Sequence, residues 1–293
     1  MTAALLAAAG CTDRDQALLA RRILEDHRAR ARVKPLPGAQ VLRLQLRSPS
    51  GRGTGTQTIE WDGINYRETV SSACWKTVRG IQAGREYFSD EDGVTRVSAE
   101  PLLHELVTRF YFWRRAYLFD DQERARVDLG PADGGSVSVK VMPRGGNPLL
   151  LTFDRRDLRL LSARARHFDL VFSSPTRLRD SSRRESPVDV EMAWTGLPTG
   201  MLADTASGGW TGRWSGRPQR VALSRLGRAL TLPAHVSGEA VTLALDAAVD
   251  GPLRVRDSLA DRLKLAFTPD VFDRRVARGA SLEIGNVTFP SLV

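Results

Sequence analysis

The sequence predicts a mainly β (α+β) fold, built on a long antiparallel sheet with packing helices. Residues 41–47 alternate leucine with arginine and glutamine, which is the pattern of a strand with one buried face. Asp62-Gly63 and Asp92-Gly93 each join two strand-like runs and are typical hairpin turns. Short hairpins join antiparallel neighbours, because parallel strands need long crossovers. A helix with a broad apolar face, located between two groups of strands, makes the fold α+β rather than all-β.

The predicted elements follow in chain order. An amphipathic helix is expected over 14–32, and a cluster of prolines from Pro35 ends it. Strands are expected at 41–47, 54–61, 64–70, 85–89 and 94–98, and then at 124–129, 137–141, 149–153, 158–163, 168–172 and 188–194.

A second helix interrupts the strands between residues 100 and 119. Its apolar residues recur every three or four positions and so give a broad greasy face. Pro101 suits the first turn of such a helix. Five residues of this helix are candidates for lining an apolar cavity: Leu103, Leu106, Val107, Phe110 and Trp113. The same stripe would equally suit a packed core, and both interpretations stay open.

The N-terminal residues indicate export. The small apolar run that ends in Ala8-Ala9-Gly10-Cys11 resembles the lipobox of bacterial lipoproteins, in which the cysteine is lipidated. We therefore expect lipidation at Cys11, with residues 1–11 excluded from the fold. Cys74 is then left without a partner, so no disulfide is expected. No later run reaches the roughly 20 apolar residues that span a bilayer.

Composition argues against several functions. The chain of 293 residues carries a formal net charge of +9, but its arginines are scattered along the whole length. No basic stripe accompanies an aromatic platform, so nucleic acid is not an expected partner. The four histidines are isolated, so no metal and no cofactor is expected.

The order of elements over residues 14–195 resembles the lipoprotein-carrier (LolA-like) superfamily. The resemblance rests on the leading helix, the long meander, the inserted greasy helix and segments such as residues 84–88, 115–118 and 149–154. It implies a curved half-barrel over residues 12–195, with an apolar cavity for acyl chains.

The C-terminal residues 217–293 resemble retropepsin-like aspartic proteases, after a linker expected over 196–216. The apolar strand and loop at 238–251 would place Asp246 as the catalytic aspartate. Ala247 and Ala248 stand where that family has threonine and glycine, which removes a bracing hydroxyl and obstructs close backbone approach. A second aspartate would have to come from a homodimer partner, so we expect a degenerate and incomplete domain. Asp204 is interpreted as part of the linker.

These observations favour a non-catalytic function. The expected protein is a periplasm-facing, lipid-anchored envelope protein that binds a lipid, an acylated protein or a peptide in its half-barrel. One alternative is a dimeric aspartic endopeptidase that uses Asp246 from each subunit. Another is a structural partner in an envelope complex, with neither cavity nor chemistry.

Overall fold

A computed structural model describes most of the chain. The described residues are 12–33, 39–63, 65–73, 75–89, 95–97, 103–119, 125–182, 187–196, 221–226, 229–245, 255–277, 280–285 and 287–292. The expected signal segment 1–11, the expected linker beyond Gly196, and the residues Cys11, Cys74, Asp204 and Asp246 lie outside them.

Helix α1 spans Asp13–Arg30 and confirms the first predicted helix. The Thr12 hydroxyl accepts a hydrogen bond from the backbone N–H of Asp15, and the Asp15 carboxylate accepts one from the backbone N–H of Thr12. This reciprocal capping box satisfies two donors at the start of the helix. The buried residues of α1 are Ala20, Ile23, Leu24 and His27.

Six strands follow α1 and form the first arm of a large sheet. They are β1 (Ala39–Arg47), β2 (Thr54–Asp62), β3 (Asn65–Ser72), β4 (Trp75–Gln82), β5 (Arg85–Ser89) and β6 (Thr95–Val97). Each pairs antiparallel with the next, as tight hairpins require.

Helix α2, Leu103–Trp113, leads from the first arm to the second. A short 3-10 helix, Ala116–Leu118, continues from its end. Seven strands then form the second arm: β7 (Arg126–Leu129), β8 (Ser136–Met142), β9 (Leu149–Asp154), β10 (Leu160–Ala165), β11 (Phe168–Ser174), β12 (Arg177–Asp180) and β13 (Val188–Gly196).

The two arms join where β1 pairs with β13, with Leu44 opposite Met192. This pairing produces one antiparallel sheet of 13 strands, in which β6 and β7 occupy the two ends of the strand order. The sheet is curved and not closed, and strands make up 52% of the structure. The predicted mainly β half-barrel class is confirmed. Both helices pack against this sheet within one large core.

Strands β4 and β12 are not among the predicted elements. Strand β4 lacks a simple alternation and carries Gly80 in its interior, which weakens a strand pattern. Strand β12 has four residues, of which Leu178 alone is buried. Both strands depend on neighbours in the sheet rather than on their own sequence.

The C-terminal elements form a smaller β-rich part. They are β14 (Ser224–Leu226), β15 (Ala229–Val236), β16 (Glu239–Leu245), α3 (Asp257–Arg262), β17 (Phe267–Pro269), β18 (Arg275–Ala277), β19 (Ala280–Ile284) and β20 (Val287–Leu292). Strands β14, β15, β16, β19 and β20 make a five-stranded sheet with its own small core.

The loop between β17 and β18, residues 270–274, belongs to the large core instead. Val271 is fully buried there, and its backbone N–H donates to the Ser72 hydroxyl at 2.8 Å. We call these five residues the docking loop. Within the described part of the chain, no helix is both long and apolar enough to cross a membrane.

Candidate ligand cavity

A cavity of about 600 Å³ opens between the ends of both long helices and the second arm of the sheet. Its volume falls within the roughly 300–1,000 Å³ of small-molecule sites. Much of its wall is apolar, and these side chains are Val33, Phe112, Trp113, Leu118, Leu158, Leu160, Phe172, Pro175 and Met192.

Aromatic rings stiffen one wall of the cavity. The Phe112 ring lies 5.1 Å from that of Trp113 and 5.0 Å from that of Phe168, in edge-to-face contacts. Tyr117 stacks on Phe112 at 5.9 Å, and burial raises the pKa of Tyr117 to about 12. Such ring pairs favour fixed geometry, so this wall is preorganised rather than fluid.

His27 connects α1 to the cavity wall. Its Nδ1–H donates to the Leu158 carbonyl at 2.7 Å, and its ring contacts Phe153 at 4.9 Å. Burial lowers the pKa of His27; the hydrogen bond to Leu158 opposes this, and the charge of Arg115 lowers it further. His27 is therefore neutral at physiological pH and contributes polarity without charge.

Four arginines line the cavity: Arg30, Arg32 and Arg159 are exposed, and Arg115 is half-buried. We call them the rim. Asp157 is the one carboxylate among the described lining residues, and its Oδ1 accepts the backbone N–H of Arg159 at 2.8 Å. Positive charge thus dominates the mouth of an otherwise apolar space.

Two rim residues have left-handed backbone at helix ends. Helix α1 closes with the Val33 N–H bonded to the Arg28 carbonyl and the Arg32 N–H bonded to the Ala29 carbonyl, which is a Schellman motif. Arg32 occupies the position of that motif where glycine is preferred, with φ of 49°. Arg115 follows α2 with φ of 58°, and its N–H bonds to the Phe112 carbonyl.

Leu158 gives a third left-handed lining residue, with φ of 57°. Three of the eight positive-φ residues other than glycine in the described chain therefore line one cavity. Such backbone costs about 1–2 kcal/mol per residue and persists where the surroundings fix it, often at binding sites.

A buried ionic cluster holds α2 against both arms of the sheet. Arg109 on α2 donates to Glu105 at 2.9 Å and to the His167 carbonyl at 2.9 Å, and its guanidinium lies 3.7 Å from Glu68 on β3. Arg79 on β4 donates to Glu68 at 2.8 Å. Because His167 precedes β11 and Glu68 lies on β3, Arg109 joins the two arms beneath the helix.

The charges of this cluster are mutually compensating. Burial opposes ionisation of Glu68, yet Arg79 and Arg109 hold the pKa of Glu68 below its ordinary value. Burial likewise opposes the charge on Arg109, but Glu68 and Glu105 help to raise its pKa above the ordinary value. The Tyr66 hydroxyl also donates to Glu68, and its ring stacks on Phe110 at 5.1 Å.

The structure places the predicted cavity residues of α2 in two environments. Trp113 lines the cavity, and its indole nitrogen is buried without a hydrogen-bond partner. Leu106 is buried in the core, while Leu103, Val107 and Phe110 are partly buried and pack against it. Contact of any of these five with a ligand stays a prediction, as does the assignment of Asp246 to a degenerate protease-like site.

Sequence reasoning missed most of this site. The lining residues from α1, from the 3-10 helix and from β10, β11 and β13 converge only through the fold. One local signal was present: arginine at a helix end where glycine is preferred. Among the described residues, no cluster of histidine, cysteine, aspartate or glutamate is arranged to hold a metal.

Comparison with known proteins identifies no family. No family model and no curated protein matches the chain. It is similar to a DUF1329 family protein from Desulfovibrio piger, with 11% identity over 66% of this chain and 96% of that one, at a TM-score of 0.39. It is also similar to a putative outer membrane lipoprotein-sorting protein domain from Vibrio parahaemolyticus, with 10% identity over 62% and 95% of the two chains, at a TM-score of 0.37.

The lipoprotein-carrier and protease resemblances of the sequence both stay predictions. Both TM-scores are below 0.5, so we draw the function from the cavity itself.

Proposed function

We propose that this protein binds the acyl chain of a lipid or of an acylated protein in the cavity, without catalysis. The observation that supports the proposal most directly is a largely apolar space of about 600 Å³ inside a curved sheet. Burial of hydrocarbon is the main favourable term such a space can supply. The rigid aromatic wall limits the reorganisation cost of binding.

Chain length gives a direct test. Each methylene that enters an apolar cavity contributes about 0.8 kcal/mol, or about fourfold in affinity. Fatty acids of increasing length should therefore displace a fluorescent fatty-acid probe with progressively lower dissociation constants, until the cavity is full. Absence of binding, or affinity that does not vary with chain length, would contradict the proposal.

A cavity-filling variant adds a structural control. Leu160 on β10 lines the cavity, so Leu160→Trp should reduce the chain length beyond which affinity no longer increases. Val171 on the neighbouring strand β11 is 46% exposed and does not line the cavity. Val171→Trp should leave this limiting chain length unchanged from that of the unmodified protein.

The proposed location is the bacterial cell envelope, with a lipid anchor on Cys11. This proposal rests on the lipobox-like residues that precede Cys11. Growth of a bacterial expression host with an alkyne-tagged fatty acid should label the protein, and Cys11→Ala should abolish the label. Equal labelling of both would reject the anchor and leave the cavity proposal intact.

A further inference from the structure

We propose that the cavity selects single-chain amphiphiles with an anionic head group, a carboxylate or a phosphate, which the rim arginines bind at the mouth. This inference rests on the proposed function, because the apolar chain must occupy the cavity first. It adds the chemical class of the ligand, which the apolar wall alone does not determine.

The charge of the rim is the first argument. Among the described residues, four guanidinium groups line the cavity against the single carboxylate of Asp157. Arg30, Arg32 and Arg159 form no salt bridge with any described residue. Arg30 donates instead to the Arg156 carbonyl at 3.0 Å, which fixes its side chain without neutralising it. The mouth therefore carries net positive charge that an anion would compensate.

The ends of α1 and α2 bring two of the rim arginines to the cavity. Both α1 and α2 finish with an arginine in left-handed backbone, and both arginines line the same cavity. Glycine at these positions would relieve the strain. Arginine therefore costs stability at two helix ends that converge on one mouth.

Helix stability does not explain this choice. A cation near a helix C-terminus interacts favourably with the helix dipole, but residues in the last turn provide this without strain. In α1, Arg28 and Arg30 already lie there in ordinary helical conformation. Lys264 follows α3 with the same left-handed backbone and does not line the cavity, so the argument for a ligand rests on the charge of the rim and not on this conformation.

Burial strengthens the interaction of an anion with Arg115. This residue is half-buried, and desolvation lowers the pKa of its guanidinium, although it stays charged at physiological pH. Charge-assisted hydrogen bonds gain strength as water is excluded.

A free anion would pair with the rim arginines but would leave the apolar cavity unoccupied. A neutral amphiphile would occupy the apolar cavity but would give Arg30, Arg32 and Arg159 no anionic partner. An acyl chain with a carboxylate or phosphate head satisfies both surfaces at once. Fatty acids and alkyl phosphates share this chemistry and are the appropriate probes.

The test compares ligands of equal chain length. Palmitate and hexadecyl phosphate should bind about tenfold or more tightly than the neutral 1-palmitoylglycerol, since one charge-assisted contact contributes about 1.5–3 kcal/mol. Inorganic phosphate alone should not displace the fluorescent fatty-acid probe. Higher salt should weaken the binding of palmitate more than the binding of 1-palmitoylglycerol.

Variants connect the selectivity to the rim. The double variant Arg115→Gln with Arg159→Gln should lose most of the difference between palmitate and 1-palmitoylglycerol, while the affinity for 1-palmitoylglycerol is retained. Arg144 is exposed and lies outside the cavity, so Arg144→Gln is the matched control and should retain the full difference.

Each outcome separates the two proposals. Equal affinity for palmitate and 1-palmitoylglycerol would overturn the head-group inference and leave acyl-chain binding in place. An equal loss of affinity for palmitate and for 1-palmitoylglycerol in the double variant would also contradict the head-group inference. Displacement of the probe by inorganic phosphate would overturn it as well. Failure of every amphiphile to bind would overturn the proposed function itself.

Discussion

The indole nitrogen of Trp75 donates a hydrogen bond of 3.0 Å to Asp270, which lies 195 residues later in the chain. Asp270 is fully buried and also accepts from the backbone N–H groups of Phe272 and Arg274 and from the Arg274 side chain. Arg274 lies over the Trp75 ring at 5.3 Å. The Asp270 carboxylate thus attaches the docking loop to the half-barrel, in addition to the hydrogen bond between Val271 and Ser72.

The close fit of this loop also involves Gly53. A Cβ at position 53 would lie 1.7 Å from the Asp270 carbonyl oxygen, which leaves no room for any side chain. The first arm of the sheet is therefore shaped to accept the docking loop.

Asp270→Ala should destabilise the protein by about 3 kcal/mol, because it leaves several buried donors without an acceptor. Urea denaturation measures the change. Asp273 in the same loop is exposed and bonds to Ser50, so Asp273→Ala should cost less than about 1 kcal/mol. Equal effects of the two variants would show that Asp270 has no special role.

Glu68→Gln should cost about 3 kcal/mol of unfolding free energy, because Arg79 and Arg109 lose the carboxylate that compensates them in the core. The half-buried pair of Glu60 on β2 and Arg67 on β3 is the matched control. Glu60→Gln should cost below about 1 kcal/mol. A small effect of Glu68→Gln would mean that water or Glu105 takes over its role.

The neutral state of His27 predicts a pH dependence of stability. Burial lowers the folded-state pKa below the ordinary value of 6.5, so the unfolded chain binds more protons in this range. The stabilisation is complete above pH 6.5 and declines as the pH falls toward the lowered folded-state pKa. His27→Asn keeps an N–H donor for the Leu158 carbonyl and removes the titration.

Urea midpoints at about pH 7.5 and about pH 5 measure this effect. The unmodified protein should lose more stability over this interval than His27→Asn does. The difference between the two proteins isolates His27, because all other groups titrate in both. Identical losses would contradict a lowered pKa for His27.

Arg115→Gly should raise the free energy of unfolding by about 1 kcal/mol, because glycine adopts left-handed backbone without strain. The neighbouring Arg114 has no positive φ, so Arg114→Gly should lower stability instead. Thermal unfolding of both variants shows whether each one is stabilised or destabilised. Should Arg115→Gly destabilise the protein, the guanidinium contributes more to folding than its backbone costs.

Sequence patterns predicted the local elements well. Alternation at Leu42, Leu44 and Leu46 and the turn at Gly63 are properties of neighbouring residues, so they identify strands and hairpins directly. The pairing of β1 with β13 is different, since a strand pattern does not specify which distant strand it meets. The cavity depends on that pairing, because Met192 of β13 forms part of its wall.

The sequence patterns also did not predict that charged residues would lie in the core. Glu68 and Arg109 occupy positions where charge normally indicates solvent, and only their mutual contact permits burial. Asp270 resembles an ordinary loop acid for the same reason. Its burial depends on Trp75, which lies in the unpredicted strand β4.

The junction of β1 and β13 has a consequence for synthesis of the chain. Strand β1 emerges early, but the partner of one of its edges is among the last strands of the sheet. Until residues 188–196 leave the ribosome, that edge presents unpaired backbone groups, a surface on which nascent chains aggregate. The hairpin of β1 and β2 does not cover this edge, so only a separate factor could shield it during this interval.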